Sequence, residues 1–326
     1  MKVCITGAAG FLGKRLTQQL LKQGQLTGSS GAQEDIEQIM LLDIVPVEGI
    51  ADSRVRVVAG DICDAGLLAE SIDADVDSVF HLAAVVSGQA EADFDLGMRI
   101  NVDATRLLLE RCRALANPPR LVFTSSVAVY GGELPDPVLD STALLPQSSY
   151  GTQKAVGELL INDYSRKRFI DGRVLRVPTI SVRPGKPNKA ASSFASGVIR
   201  EPLAGSEATC PVPPQTRIWL SSPRSAIANL LHAHELPAQG FGASRVVNLP
   251  GISVSAGEML ESLERVAGKA VAARVRWQVD PVITRIVSTW PGAWDCSRAL
   301  ALGFRSETDF EAIIRAYMED ELKSAA

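Results

Sequence analysis

Short apolar runs at residues 3–6, 39–44, 55–58, 79–82 and 121–124 read as strands. Between them, residues 12–23, 65–71 and 96–114 carry apolar positions at helical spacing or a helix-forming composition. That order predicts a parallel sheet covered by helices on both faces. Another helix is expected over 150–168, followed by a strand over 173–178. The pattern then breaks. Residues 184–215 are dense in Pro, Gly, Ser and Ala, which predicts a long working loop with one short helix over 193–200. Helices over 222–234, 255–267 and 308–323 and a strand over 245–249 are too few to continue the alternation, so a smaller lobe over the carboxyl edge of the sheet is expected. Residues 25–38, between the first helix and second strand, read as a surface insertion, and no internal repeat is present.

Composition narrows this picture. A chain of 326 residues holds one large α/β domain or two modest ones, and 46% hydrophobic with 21% charged residues excludes a disordered or fibrous whole. The formal charge of −4 supplies no general attraction to nucleic acid or to an anionic membrane, so any anionic ligand must be held by local groups. The five cysteines (4, 63, 112, 210 and 296) are scattered and form no C-x-x-C pair; this argues against a zinc site or a disulfide framework and fits a reducing cytoplasm. Cys4 and Cys112 sit among apolar neighbours and read as core. No run approaches the ~20 apolar residues of a membrane span, and the fold is expected to start at the first residues without a signal region.

Directly after the first strand stands Gly7-Ala8-Ala9-Gly10-Phe11-Leu12-Gly13, a G-x-x-G-x-x-G run opening the first helix. Small residues let the backbone approach a pyrophosphate, and the helix N-terminus stabilises its charge. With a strand before it and a helix after it, this is a dinucleotide site of the Rossmann type. Asp43 closes the second strand, where a carboxylate accepts hydrogen bonds from ribose hydroxyls and repels a 2′-phosphate. No Arg or Lys follows in Ile44-Val45-Pro46, so NAD is expected as cofactor rather than NADP. Asp61 and Ile62 after the third strand are candidates for the adenine edge. Leu82, Ala83 and Ala84 after the fourth are candidates for the nicotinamide side. The expected division is a doubly wound NAD-binding domain over 1–178 that carries the chemistry. Residues 179–326 then form mainly a substrate-binding lobe, with some segments returning to the first domain.

Tyr150 and Lys154 lie one helical turn apart on one face. A phenol of pKa about 10 becomes a base near neutral pH only where nearby positive charge favours the phenolate. Lys154 and an oxidised nicotinamide are the groups that can supply it. Ser126 ends the fifth strand, where a sheet of this class presents catalytic groups, and can hydrogen-bond the reacting oxygen. His81, His232 and His234 have no ligand partner at useful spacing, and they and the four tryptophans read as core or surface. No metal site is expected.

The series of glycine loop, Asp43, strand-end Ser126, Tyr150 and Lys154 resembles the extended short-chain dehydrogenase/reductase family over the first 180 residues. The resemblance implies that Ser126, Tyr150 and Lys154 act together in hydride transfer, Tyr150 as base, Ser126 positioning the oxygen and Lys154 lowering the Tyr150 pKa while binding the nicotinamide ribose. It also implies cofactor contacts at Phe11, Leu12 and Pro178. Asn101 matches a family asparagine that organises a helix near the site and is counted with the cofactor residues. The dehydratase members carry Thr-Asp/Glu-Glu where this chain reads Ser125-Ser126-Val127, which disfavours sugar-nucleotide dehydration. Residues 85–95, 150–154, 183–197 and 216–224 are similar to a sugar-acid dehydrogenase group within the family. That similarity implies NAD-dependent oxidation of D-erythronate, a four-carbon sugar acid, at C2 to give 2-dehydro-D-erythronate. Such a substrate needs a cation for its carboxylate. Arg217 is the first choice, with Arg183, Lys186, Lys189 and Arg224 as competitors, and Ser87, Ser192 and Ser193 are candidate hydroxyl partners. The alternatives are a nucleotide-sugar 4-epimerase, which uses the same Ser/Tyr/Lys set, and a non-catalytic NAD-responsive binding protein. The family also implies a homodimer built on helices near 96–114 and 150–168.

Overall fold

A computed structural model describes residues 1–185 and 190–322; Lys186 and Lys189 lie outside the described residues. Seven strands form the main sheet: β1 (Lys2–Thr6), β2 (Gln38–Asp43), β3 (Val55–Ala59), β4 (Val76–His81), β5 (Arg120–Ser126), β6 (Asp171–Val177) and β7 (Val246–Asn248). They lie in the order β7-β6-β5-β4-β1-β2-β3, and every neighbouring pair is parallel. The order reverses between β1 and β4, which opens a crevice at the carboxyl ends of the strands.

Alternation along β1 explains the layers. Val3 and Ile5 point to one face and pack with Leu16 and Leu20 of α1 (Phe11–Gln23), whereas Cys4 points to the other and packs with Leu108 and Leu109 of α2 (Ala104–Arg113). Ile161 of α3 (Ser149–Arg166) joins that second face. Cys4 and Cys112 are fully buried there, and burial pushes the Cys112 thiol up to about 12.

Two segments after residue 178 return to the main sheet. The helix expected over 222–234 is α4 (Pro223–Glu235), and it packs through Ile227, Leu230 and Leu231 on the α1 face of the main sheet rather than in the smaller lobe. The expected strand over 245–249 shortens to β7 and joins the edge of the main sheet beside β6. Both choices are made by packing between segments far apart in sequence, so local pattern cannot register them. The expected single helix over 96–114 also divides, into Phe94–Gly97, a π-helical turn Met98–Asp103 and α2.

The smaller lobe has its own core of Val182, Phe194, Val198, Ile218, Met259, Leu263, Phe310 and Ile313. Its strands Thr179–Ile180, Arg217–Ser221 and Ile252–Ser255 form one short sheet, and Ser255 and Glu258 cap the helix Ala256–Ala267 reciprocally. Those strands are too short to show alternation. The expected last helix ends early, at Phe310–Tyr317, and continues as a π-helical turn Met318–Leu322. Residues 25–38 contain a small hairpin, Gln25–Thr27 with Gln33–Asp35. Its Thr27 nitrogen donates to Glu235 at 3.2 Å, which ties the insertion to the end of α4.

Candidate active site

The glycine run occupies the turn from β1 into α1. Gly7 has φ +72°, and a Cβ there would stand 2.6 Å from the Ala83 nitrogen; a Cβ on Gly13 would stand 2.4 Å from the Gly7 carbonyl oxygen. Both positions therefore exclude side chains, the first because the chain after β4 passes directly over it. Gly10 caps α1 with no side-chain acceptor, which leaves the helix N-terminus facing the crevice. The Ala9 nitrogen donates to Asp43 Oδ2 at 2.9 Å, so the carboxylate at the end of β2 is pinned to the loop.

A cleft of about 690 Å³ runs from this loop across the sheet edge into the smaller lobe. Gly7, Gly10, Phe11, Leu12, Gly13, Asp43, Asp61, Ile62, Leu82, Ala83, Ala84 and Pro178 all line it, as do Ser126, Tyr150 and Lys154. Ser87 and Ser192 line its far end with Arg183 and Trp290. Three side chains assigned to the site stand elsewhere. Ser193 belongs to the start of the helix Phe194–Leu203 and does not line the cleft. Arg217 is half-exposed at the edge of the smaller lobe, where its Nε donates to Ser253 Oγ at 3.0 Å and its Nη2 stands 3.4 Å from Glu258; this occupied cation does not line the cleft either. Asn101 sits behind the wall. Its Nδ2 donates to Val85 O at 3.0 Å and to Gln153 Oε1 at 2.7 Å, and its Oδ1 accepts from Val85 N at 2.8 Å. From the π-helical turn it clasps the loop after β4 to α3, a positioning role that requires no contact with cofactor.

The reacting end is assembled by β5 and α3. Ser148 caps α3 by accepting from the Gly151 nitrogen at 3.2 Å, which starts the helix two residues before Tyr150. Ser126 lines the cleft with Tyr150 and favours its phenolate. Burial pushes its phenol up to about 12, against the opposing effects of Ser126 and the Arg183 guanidinium. Burial also pulls the Lys154 ammonium down to about 7, opposed by Glu158, and its Nζ lies 4.6 Å from the Phe123 ring centroid and 5.7 Å from that of Tyr150. Unaided, this phenol stays protonated at neutral pH. A positive charge brought in beside it is needed to make a base.

Two features escaped the sequence pattern. Glu158, one turn beyond Lys154, is buried; it accepts from Ser125 Oγ at 2.5 Å and from Arg176 Nε and Nη2 at 2.9 and 2.7 Å. Arg176 also bonds Tyr130 and, at 3.3 Å, Asn248 Oδ1, so the Glu158–Arg176 pair joins α3 to β5, β6 and β7 behind the cleft. The i+4 spacing from Lys154 was the visible signal. The second feature is Arg99, whose Nη1 donates to Asp61 Oδ2 at 2.6 Å at the cleft rim; the guanidinium holds that carboxyl below its ordinary range.

The histidines are structural. His81 shares hydrogen bonds with Thr6 (2.7 Å) and Thr105 (3.0 Å), and burial pushes its pKa down to about 3. His234 meets Ser78 Oγ at 2.7 Å, and His232 meets the Leu302 carbonyl at 2.8 Å. Trp219 and Trp294 are buried and both donate to the Leu249 carbonyl, whereas Trp277 is exposed. Among the described residues no group of three or more His, Cys, Asp or Glu could hold a metal ion, and no helix is long and apolar enough to cross a membrane.

Residues 3–220 match the model of the NAD dependent epimerase/dehydratase family. The chain is 62% identical over 320 residues to the D-erythronate dehydrogenase of Cupriavidus necator, covering 98% of each. It is 47% identical over 323 residues to the D-erythronate dehydrogenase of Haemophilus influenzae, covering 99% of this chain and 100% of that one. A solved structure described as the nucleoside-diphosphate-sugar epimerase from Agrobacterium tumefaciens superposes with a TM-score of 0.93 at 44% identity, over 99% of this chain and 95% of the other.

Proposed function

The chain belongs to the NAD dependent epimerase/dehydratase family, and from that premise we propose an NAD-dependent dehydrogenase that oxidises D-erythronate at C2 to 2-dehydro-D-erythronate, with Tyr150 as the base. The observation that carries this reading is the convergence of Ser126, Tyr150 and Lys154 in one cleft with the glycine loop and Asp43. The fit to the dinucleotide is supported by the side-chain-free cradle at Gly7 and Gly13, which admits a pyrophosphate to the open N-terminus of α1. Asp43 would take the adenosine ribose, with no cation following it to receive a 2′-phosphate. When bound, NAD supplies the acceptor for the hydride.

The protein's own groups handle the proton. Tyr150 Oη removes it from the C2 hydroxyl as the hydride leaves C2, and Ser126 Oγ holds the substrate oxygen against the phenol. Lys154, buried one turn away, and the oxidised nicotinamide, when bound, would together supply the positive charge that favours the phenolate. The exposed apolar residues Leu159 on α3 and Phe94 support a homodimer through that face, and the scattered cysteines support a reducing compartment such as the cytoplasm.

The similarity to a structure described as a nucleoside-diphosphate-sugar epimerase favours a second reading, 4-epimerisation of a nucleotide-linked sugar. One assay separates the two. Purified protein is incubated with NAD and a panel of four-carbon sugar acids while NADH absorbance is followed, and in parallel with nucleotide sugars while epimers are resolved. NADH accumulating with D-erythronate, and 2-dehydro-D-erythronate as the product, is the expected result. Epimer interconversion without NADH accumulation, and no turnover of any acid, would sink the dehydrogenase reading.

A further inference from the structure

We propose that Arg183 holds the substrate's carboxylate and makes the enzyme selective for hydroxy acids over their neutral analogues. The inference rests on the dehydrogenase reading above and deepens it.

Arg183 follows the strand Thr179–Ile180 into the cleft, and its backbone is fixed on both sides. Its nitrogen donates to Ser196 Oγ at 3.0 Å, and its carbonyl accepts from Arg200 Nη1 at 2.7 Å; both partners are buried on the helix Phe194–Leu203. Arg200 in turn is neutralised by Glu201 at 2.6 Å. Arg183 itself has no such carboxylate. Its side chain lines the cleft, and its Nη2 is buried without a hydrogen-bond partner among the described residues. A buried charged donor left unsatisfied is costly, so an anionic acceptor that reaches the guanidinium from the cleft gains what the free protein forgoes.

Position decides which anion. The other arginine on the cleft wall, Arg99, is engaged by Asp61 at the far, nucleotide end. Arg183 instead lines the cleft together with Tyr150, Ser126, Ser87 and Ser192, and its guanidinium favours the phenolate. A substrate whose hydroxyl meets Tyr150 can therefore turn an anionic group toward Arg183 within the same cleft, and a small hydroxy acid carries both. The planar fork of the guanidinium fits both carboxylate oxygens, and Ser87 and Ser192 line the wall beside it for the remaining hydroxyls.

The test is a binding measurement that does not depend on turnover. D-erythronate and its neutral amide are titrated into the NADH complex of wild type, Arg183→Met and Arg183→Lys, read by NADH fluorescence. In Arg183→Met the acid's Kd is expected to rise about 100-fold, with the amide's Kd and the NADH Kd each changing by less than about threefold. Arg183→Lys, which keeps the charge but not the fork, is expected to lose roughly tenfold for the acid, and it carries the test if the Met variant fails to bind NADH. An acid Kd within about threefold of wild type in either usable variant, or equal losses for acid and amide, overturns the assignment. A wild-type complex that binds no 2-hydroxy acid overturns the substrate reading and Arg183's role with it. An Arg183 variant that binds the acid like wild type overturns the role of Arg183 alone.

Discussion

The two ends of the cleft are built in different ways. The nucleotide end is dominated by one local unit, the turn from β1 into α1, with single residues added from the ends of successive strands. The substrate end takes Ser87 from a short helix after β4, Ser126 from β5, Tyr150 from α3, Arg183 and Ser192 from the connection into the smaller lobe, and Trp290 from near the C-terminus. A pyrophosphate presents the same charge and shape in every dinucleotide, so a backbone cradle suffices for it. A small polyol acid differs from its competitors only in where its hydroxyls and charge stand, and that must be read by side chains brought from several elements.

The two arginines that follow one another through β6 and beyond sharpen the contrast. Arg176 spends its nitrogens on Glu158, Tyr130 and Asn248, all protein groups, and so serves the fold. Arg183, seven positions on, leaves a buried nitrogen unpartnered among the described residues and lines the same cleft as Tyr150. Both are largely withdrawn from solvent, so burial alone does not separate them.

If the two ends are separable, substitutions should move one ligand and spare the other. The largest effect is expected at the reacting group: Tyr150→Phe should lower kcat by about 10³-fold or more, with NADH and D-erythronate Kd nearly unchanged. Unaltered turnover would remove Tyr150 as the base. Next in size, Asp43→Ala should weaken NADH by roughly 10–100-fold through loss of charge-assisted hydrogen bonds to the ribose, while acid binding to the saturated complex stays put. A matching loss for the acid would show that the ends are coupled. The smallest effect concerns stability. Burial holds Lys154 at about 7 against an ordinary 10.5, so the unfolded chain binds that proton more tightly, and the contribution of this group to stability rises with pH through that window. Denaturant unfolding at pH 7 and at pH 9 should show a smaller gain for Lys154→Met than for wild type, and the variant should be the more stable of the two at pH 7. Parallel pH profiles would contradict the buried, only partly compensated placement of Lys154.

Legibility in the sequence followed the same divide. Gly7 to Gly13, Asp43, Ser126, Tyr150 and Lys154 were readable because each sits at a set point in a strand-to-helix unit or one helical turn from its partner, and all of them line the cleft. Arg217 was the natural first choice for the carboxylate, yet Ser253 and Glu258 on neighbouring elements of the lobe engage it. Nothing in the residues around 217 announces those partners, which lie 36 and 41 positions away. Asn101 was readable only through its match to a family asparagine that organises a helix near the site, and the structure shows that it grips Val85 and Gln153 from a π-helical turn behind the wall.

By itself, the sequence determined the alternating layers, the dinucleotide cradle and the Tyr/Lys pair, because these depend on period, on residue size and on spacing within single elements. Tertiary structure alone decided that α4 and β7 are the segments that return to the main sheet, that Glu158 and Arg176 brace α3, and that Arg183 rather than Arg217 lines the cleft. Those outcomes depend on which distant groups satisfy one another's charge and hydrogen bonds once water is excluded. That competition is settled in three dimensions and leaves no local periodicity to read.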